Sequence, residues 1–183
     1  MERIVRPTIS GMAAEGRPYR GVLYVGLMLT SHGPQVLEFN CRFGDPETQS
    51  ILLRLDDDFA DILRQAADGN LEQRALSWRR EAVACIVLAS EGYPGAVRRG
   101  MEITGIAGAL AEPRVTVYHA GTRLDSDTLV VVGGRVLSVC GRGPTLEDAV
   151  KTAYQGVQHI RFEGMHYRTD IGADSLARLG GSR

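Results

Sequence analysis

The chain predicts an α+β protein, on three observations. Apolar residues recur at helical spacing in several stretches, short branched and apolar runs are bounded by Gly, Pro and Asp, and the balance shifts along the chain from helices with one hairpin to strands around one long helix. Glu2 to Glu15 carries Ile4, Val5, Ile9 and Met12, which fits a helix packed on one side, with Gly16 beyond its end. Val22–Leu29 and Val36–Phe39 flank the turn formers Ser31-His-Gly-Pro34, so they read as an antiparallel hairpin. Glu47 to Leu55 predicts a helix. Asp56-Asp-Asp58 then puts negative charge at the start of another, where the helix dipole favours it; Phe59, Ile62, Leu63 and Ala66 keep its spacing and Asp68-Gly-Asn70 ends it. Beyond Trp78-Arg-Arg-Glu81 the pattern changes. Ala82–Ala89, Val115–Tyr118, Thr128–Val132 and Arg135–Val139 have the character of strands, and Gly133-Gly134 predicts a tight hairpin between the last two. Thr145 caps a helix whose Leu146, Ala149, Val150, Ala153, Tyr154 and Val157 form one stripe. A boundary near Leu76 to Glu81 divides the chain into domains 1–78 and 79–183.

At 183 residues, with 44% hydrophobic and 23% charged residues and a formal net charge of −1, the composition is that of a soluble globular protein. Near-neutral charge gives no electrostatic reason to expect nucleic acid or an anionic membrane as partner. No apolar run reaches the ~18–20 residues of a membrane span and Met1-Glu-Arg opens no signal peptide, so the expectation is a cytoplasmic protein. Cys41, Cys85 and Cys140 lack metal-ligand spacing and are expected to be reduced and structural. Lys151, the only lysine, falls on the long C-terminal helix as a solubilising residue, and there is no Gly-x-x-x-x-Gly-Lys loop.

The chemistry concentrates in Val36-Leu-Glu-Phe-Asn-Cys-Arg-Phe-Gly-Asp-Pro-Glu-Thr-Gln49. Glu38 and Asn40 lie two apart at the end of an apolar strand, and alternate side chains of a strand leave one face. A hard divalent cation that carries substrate phosphates wants such a sparse set of carboxylate and amide oxygens. Arg42 follows on the same alternation with a guanidinium fork suited to a carboxylate or acyl-phosphate. Asp45 is placed either to cap the helix that begins at Pro46 or to meet substrate. Arg168 and Asp170, in Tyr167-Arg-Thr-Asp-Ile-Gly172, are expected to form a packing ion pair. The four histidines have no partner spacing, and no serine or cysteine sits in a nucleophile elbow.

Arg42-Phe-Gly-Asp-Pro-Glu-Thr-Gln49 resembles the signature of the phosphoribosylamine–glycine ligases of purine biosynthesis. Tyr19-Arg-Gly-Val-Leu-Tyr-Val-Gly-Leu-Met28 upstream resembles the strand that precedes that family's metal strand. Gly92-Tyr-Pro94, Val117-Tyr-His-Ala-Gly-Thr122, Gly133-Gly-Arg-Val-Leu137 and Tyr167 to Gly172 resemble its C-terminal domain, in the same order. The resemblance covers nearly the whole chain, but only the C-terminal two-fifths or so of such an enzyme.

The resemblance implies the C-terminal subdomain portion of an ATP-grasp fold over 1–78 and a small, sheet-rich, barrel-sandwich-like ligase domain over 79–183. It implies ATP as co-substrate, Mg²⁺ or Mn²⁺ held by Glu38 and Asn40, Arg42 as catalytic and substrate-binding residue, and Asp45 as substrate-binding. Glycine and 5-phosphoribosylamine would be joined. The adenine pocket, the phosphate loop and a phosphate-contacting lysine would belong to an N-terminal portion missing here, so the isolated chain is expected to be inactive. The alternatives are a different purine-pathway ATP-grasp ligase, against which Gly-Asp-Pro-Glu-Thr-Gln argues, and a non-catalytic fragment or assembly domain.

Overall fold

The computed structural model describes residues 1–71 and 75–180. The chain forms two compact units, one of residues 1–48 with 55–77 and one of 49–54 with 78–183. The first unit holds helix α1 (Val5–Ala14), strands β1 (Tyr24–Thr30) and β2 (Gly33–Asn40), the opening residues of α2 (Glu47–Arg54), and α3 (Phe59–Asp68). β1 and β2 pair antiparallel as expected, turning at Ser31-His32, where Thr30 Oγ1 donates to the Gly33 carbonyl at 2.9 Å. The ends of α3 are those the residues dictate. The Asp58 carboxylate accepts from the Asp61 N–H at 3.1 Å, and Gly69 closes the helix in the left-handed conformation at φ 73°. Among the described residues, Leu55 is the one buried hydrophobic of this unit, whereas Leu29, Leu37 and Phe39 of the hairpin stand 76%, 63% and 45% exposed.

The second unit has its own core. β3 (Ala82–Ala89), β4 (Val115–His119) and β7 (Arg135–Gly143) form an antiparallel sheet in the order β3-β7-β4, and α5 (Leu146–Val157) packs on it. Ile86, Leu88, Leu137 and Val139 from the sheet meet Ala149, Ala153 and Val157 of the helix, with Ile160 just beyond, all essentially without solvent exposure. The helix comes close because β7 has glycines beneath it: a Cβ on Gly141 would sit 2.2 Å from the Ala153 nitrogen. Thr145 caps α5 as expected, accepting from the Asp148 N–H at 3.1 Å. Cys85 and Cys140 face one another across β3 and β7 as free thiols, and Cys41 is free and exposed.

Two features depart from the sequence expectation. Gly133-Gly134 is a corner, not a hairpin: β6 (Thr128–Val131) pairs with β5 (Thr122–Asp125), while β7 joins the other sheet. Two-residue hairpin turns need positive φ, which neither glycine adopts; both are needed for close approach, Gly133 to Gly121 and Gly134 to the Tyr93 ring. The short β5, α4 (Ile106–Ala111) and α6 (Ala173–Gly180) have no counterpart in the sequence reading. Among the described residues the strands make three small sheets and no closed barrel, and no helix is long and apolar enough to cross a membrane.

Candidate functional site

The first unit brings the oxygen-bearing residues together through strand register. Tyr24 pairs with Asn40 and Gly26 with Glu38, so these four positions lie on one face of the hairpin. The register shifts immediately beyond Gly26, a bulge that leaves Leu37 over and sets the facing of Glu38 and Asn40 apart from the rest of the strand. Gly26 has a spatial reason to lack a side chain. A Cβ there would come within 3.0 Å of Glu38 Cγ, so the Glu38 stem lies across the glycine. Glu38 is exposed and Asn40 half-buried.

Arg42 lies just past β2, exposed, with Nη1 donating to the carbonyl of Phe43 at 2.8 Å. Asp45 is exposed and has an interaction partner, and the helix opens at Glu47 rather than at Pro46. Thr48 back-bonds to the carbonyl of Gly44 through both its N–H, at 3.1 Å, and its hydroxyl.

Glu47, taken from the sequence only as a helix-opening acid, belongs to this cluster. The Tyr24 hydroxyl donates to its Oε1 at 3.1 Å, and Gly44 lies beneath both, where a Cβ would meet the Glu47 carboxylate at 2.4 Å and the Tyr24 ring at 3.1 Å. The Glu47 hydrogen bond first, then its charge, burial and the Glu38 charge raise the Tyr24 phenol above its ordinary value, while Arg42 opposes them. Those influences place Glu38, Arg42 and Glu47 around one phenol. A tyrosine two residues before a glycine, opposite Glu-x-Asn, was the signal available in the sequence.

The donor set suits a hard cation. As metal ligands Glu38 and Asn40 would present a carboxylate and an amide carbonyl oxygen, and so sparse a pair would leave room for phosphate oxygens. Among the described residues no group of three or more His, Cys, Asp and Glu side chains gathers as a self-sufficient metal cage. Arg168 and Asp170 do pair, with Nε to Oδ1 at 2.8 Å and Nη2 to Oδ2 at 2.7 Å, but on the surface, at 74% and 58% exposure. The hydrogen bond to Arg168 holds the Asp170 carboxyl below the usual carboxylate range.

Comparison with known proteins agrees with this arrangement of segments. Residues 83–174 match the family profile of phosphoribosylglycinamide synthetase, C domain, and residues 1–48 that of phosphoribosylglycinamide synthetase, ATP-grasp (A) domain. The phosphoribosylamine–glycine ligase of Caulobacter vibrioides is 51% identical over 94% of this chain and 41% of its own length. That of Pasteurella multocida is 46% identical over 97% of this chain and 41% of its own length. The chain thus spans about two-fifths of the curated relatives it matches. The crystal structure of the Thermotoga maritima phosphoribosylamine–glycine ligase superposes with a TM-score of 0.77 at 37% identity, covering 88% of this chain and 39% of that one. N5-carboxyaminoimidazole ribonucleotide synthetase from the same organism shares the fold alone, with a TM-score of 0.58 at 15% identity. With more than half its length matched by the C-domain profile, and its opening residues by the ATP-grasp profile, the chain belongs to the phosphoribosylglycinamide synthetase family.

Proposed function

We propose that this chain is the C-terminal part of an ATP-dependent ligase that joins glycine to 5-phosphoribosylamine in purine biosynthesis. Residues 1–78 would complete the ATP-grasp portion and 79–183 form the C-terminal domain. The observation that carries the proposal is the shared face of Glu38 and Asn40, beside Arg42 and braced by Tyr24 and Glu47. Glu38 and Asn40 would hold Mg²⁺ or Mn²⁺, which when bound neutralises charge on the phosphates of ATP. Arg42 binds the glycine carboxylate through its fork and keeps that grip as the oxygen takes the γ-phosphoryl group, releasing ADP. The amine of phosphoribosylamine then attacks the glycyl phosphate, an amide bond forms, and phosphate leaves. Asp45 offers a carboxylate to the ammonium group of glycine. The chain's own contribution is positioning and charge compensation rather than covalent chemistry.

The first unit also supports an obligate partner. A unit whose described residues bury one hydrophobic side chain, Leu55, while Leu29, Leu37 and Phe39 of its hairpin stand open to solvent, has not finished burying its apolar surface. We assign its cover to the N-terminal portion of the ligase, which would also bring the adenine pocket and phosphate loop. The free thiols of Cys41, Cys85 and Cys140 suit a reducing compartment, and the cytoplasm is where we place the enzyme.

The test is reconstitution. Purified chain, mixed with a polypeptide carrying the N-terminal portion of a family member, should release ADP only when glycine and phosphoribosylamine are both present; the chain alone should release none. Paramagnetic broadening by Mn²⁺-ATP should centre on Glu38 and Asn40. ADP release from the pure chain that depends on both substrates, or broadening centred elsewhere, would refute the assignment.

A further inference from the structure

Cys85 and Cys140 stand directly opposite one another in the register of β3 and β7. How close that brings them follows from the hydrogen bonds on the other side of β7. Arg142 N–H donates to the Arg114 carbonyl at 3.1 Å, and the Val136 carbonyl accepts from the Ala120 N–H at 3.0 Å. These bonds bracket the pairing with β4, in which Thr116 lies opposite Cys140 and Tyr118 opposite Ser138. Backbone groups along a strand point alternately to its two neighbours, so the even-numbered residues of β7, Cys140 among them, spend theirs on β4. Toward β3, Cys140 is therefore half of a non-hydrogen-bonded pair with Cys85. Pairs of this kind bring Cα atoms to ~4.5 Å and their side chains closest. A disulfide spans ~4.4–6.8 Å between Cα atoms, so these two sulfurs can bond without moving either strand.

The two thiols differ in access. Gly141 and Gly143 turn toward α5, where a Cβ on either would strike the Ala149 backbone, so alternation puts Cys140 and Cys85 on the opposite face of the sheet. Tyr118 and Arg142 share that face. Burial raises the Tyr118 phenol, the Cys140 and Cys85 charges add to it, and Arg142 opposes them. The face is closed over Cys140, which has no solvent exposure, and open toward β3, where Cys85 is half-buried. Val83, next along β3 on the same face, lines a cavity of about 450 Å³ with Ser50, Ile51, Arg54 and Trp78. The hydrogen bond to Cys85, then burial, then the Cys85 charge push the Cys140 thiol far above its ordinary value. The buried sulfur thus keeps its proton, and of the two Cys85 is the one that ionises first.

We infer that Cys85 and Cys140 are a thiol pair that exchanges with small-molecule disulfides of the glutathione type and closes reversibly into a β3–β7 disulfide. The Cys85 thiolate attacks one sulfur of the reagent, the reagent's S–S bond breaks, and one glutathione leaves as a thiolate. Cys140 then attacks the Cys85 sulfur of the mixed disulfide, loses its proton to solvent and expels the second glutathione. The protein gives up two electrons and the reagent is reduced to two thiols. In a reducing compartment such a bond is transient, which suits a pair that is reduced at rest. The test is mass spectrometry of the chain carrying Cys41→Ser, which removes the exposed thiol, after incubation with glutathione disulfide and no denaturant. The product should lose the mass of two hydrogens, retain no glutathione, and join the Cys85 and Cys140 peptides on nonreducing digestion; dithiothreitol should restore the parent mass. Adding Cys140→Ala should stop the reaction at one glutathione on Cys85, and adding Cys85→Ala instead should leave Cys140 unmodified. A glutathione retained on Cys85 in the chain that keeps both cysteines, no Cys85–Cys140 link, or a link that forms only in urea would overturn the pair. No trapped glutathione with Cys140→Ala, or modification of Cys140 with Cys85→Ala, would overturn the order of attack. Should either alanine variant misfold, the peptide map of the chain with both cysteines carries the test. Neither ATP nor metal nor substrate enters, so the outcome is independent of the ligase reading.

Discussion

Gly141→Ala should be among the most damaging single-methyl additions to this protein. The new Cβ would lie 2.2 Å from the Ala153 nitrogen, 2.5 Å from the Ala149 carbonyl oxygen and 2.8 Å from Ala153 Cα. All three are backbone atoms of α5, so no side chain can turn aside. Restoring an ordinary contact of 3.4 Å requires α5 to lift from β7 by about 1 Å. A gap of ~0.5–1 Å already forfeits a quarter to a half of the dispersion energy across it, along Ala149, Ala153 and Val157. Overpacking of this kind costs typically ~1–3 kcal/mol, and a purely backbone clash belongs at the upper end, so we expect ~3 kcal/mol. With a urea slope of ~1.5–2 kcal/mol/M, the midpoint for the second unit should fall by ~1.5–2 M, followed by far-UV circular dichroism. Gly11→Ala in α1 is the control: a Cβ there meets nothing within 4 Å, and removing a helical glycine should be neutral or favourable by up to ~1 kcal/mol. An unfolding free energy for Gly141→Ala within ~0.5 kcal/mol of the parent, with α5 amides still protected, would refute the account of how helix and sheet meet.

Three further outcomes follow from the same geometry. In hydrogen exchange, amides of α1, β1 and β2 should exchange far faster than those of β3, β7 and α5, and should slow on addition of the N-terminal portion; equal protection in the two units would contradict the view that the first is unfinished. Tyr24 should titrate above 10.0 and Glu47→Gln should bring it down, because the acceptor loses its charge. A phenol raised on folding adds stability that is present below the unfolded value and is lost as pH climbs through the folded one, and ¹³C-tyrosine NMR reads both. Glu38→Ala should change stability by no more than ~0.5 kcal/mol, since the side chain is exposed, yet lower turnover of the reconstituted enzyme by orders of magnitude; a large loss of stability with intact turnover would reverse its assignment.

How much of this was legible in the sequence depends on how local each cause is. The hairpin, the acidic start of α3, the Thr145 cap and the stop at Gly69 depend on residues a few positions apart, and all of them formed as read; that Asp58 also caps α3 through its side chain is a detail the structure adds. Gly133-Gly134 failed because its meaning is long-range. The pair is small to admit Gly121 and Tyr93, and no window around residue 133 contains either. β5 is four mostly exposed residues with no burial alternation to betray it. At the candidate site, the common face of Glu38 and Asn40 follows from strand period, whereas Glu47 reaches it only through the fold of the Gly44 turn onto Tyr24.

The two units divide the work in a way that burial alone exposes. The second keeps its core residues sealed under α5, so its stability is internal. The first spends its residues differently. On the ligase reading, Glu38 and Arg42 would have to stay reachable by charged ligands, and the hairpin that carries the first of them has apolar positions open to solvent. Charged groups that act on phosphate gain from exclusion of water, because the same charge attracts more strongly in a drier surround. A surface that leaves exposed both its apolar positions and the charges proposed to act on phosphate would satisfy neither demand alone. One covering polypeptide would satisfy both, burying Leu29, Leu37 and Phe39 and excluding water from Glu38 and Arg42 in the same step. On that reading the incomplete packing of the hairpin and the expected silence of the isolated chain would have a single physical cause.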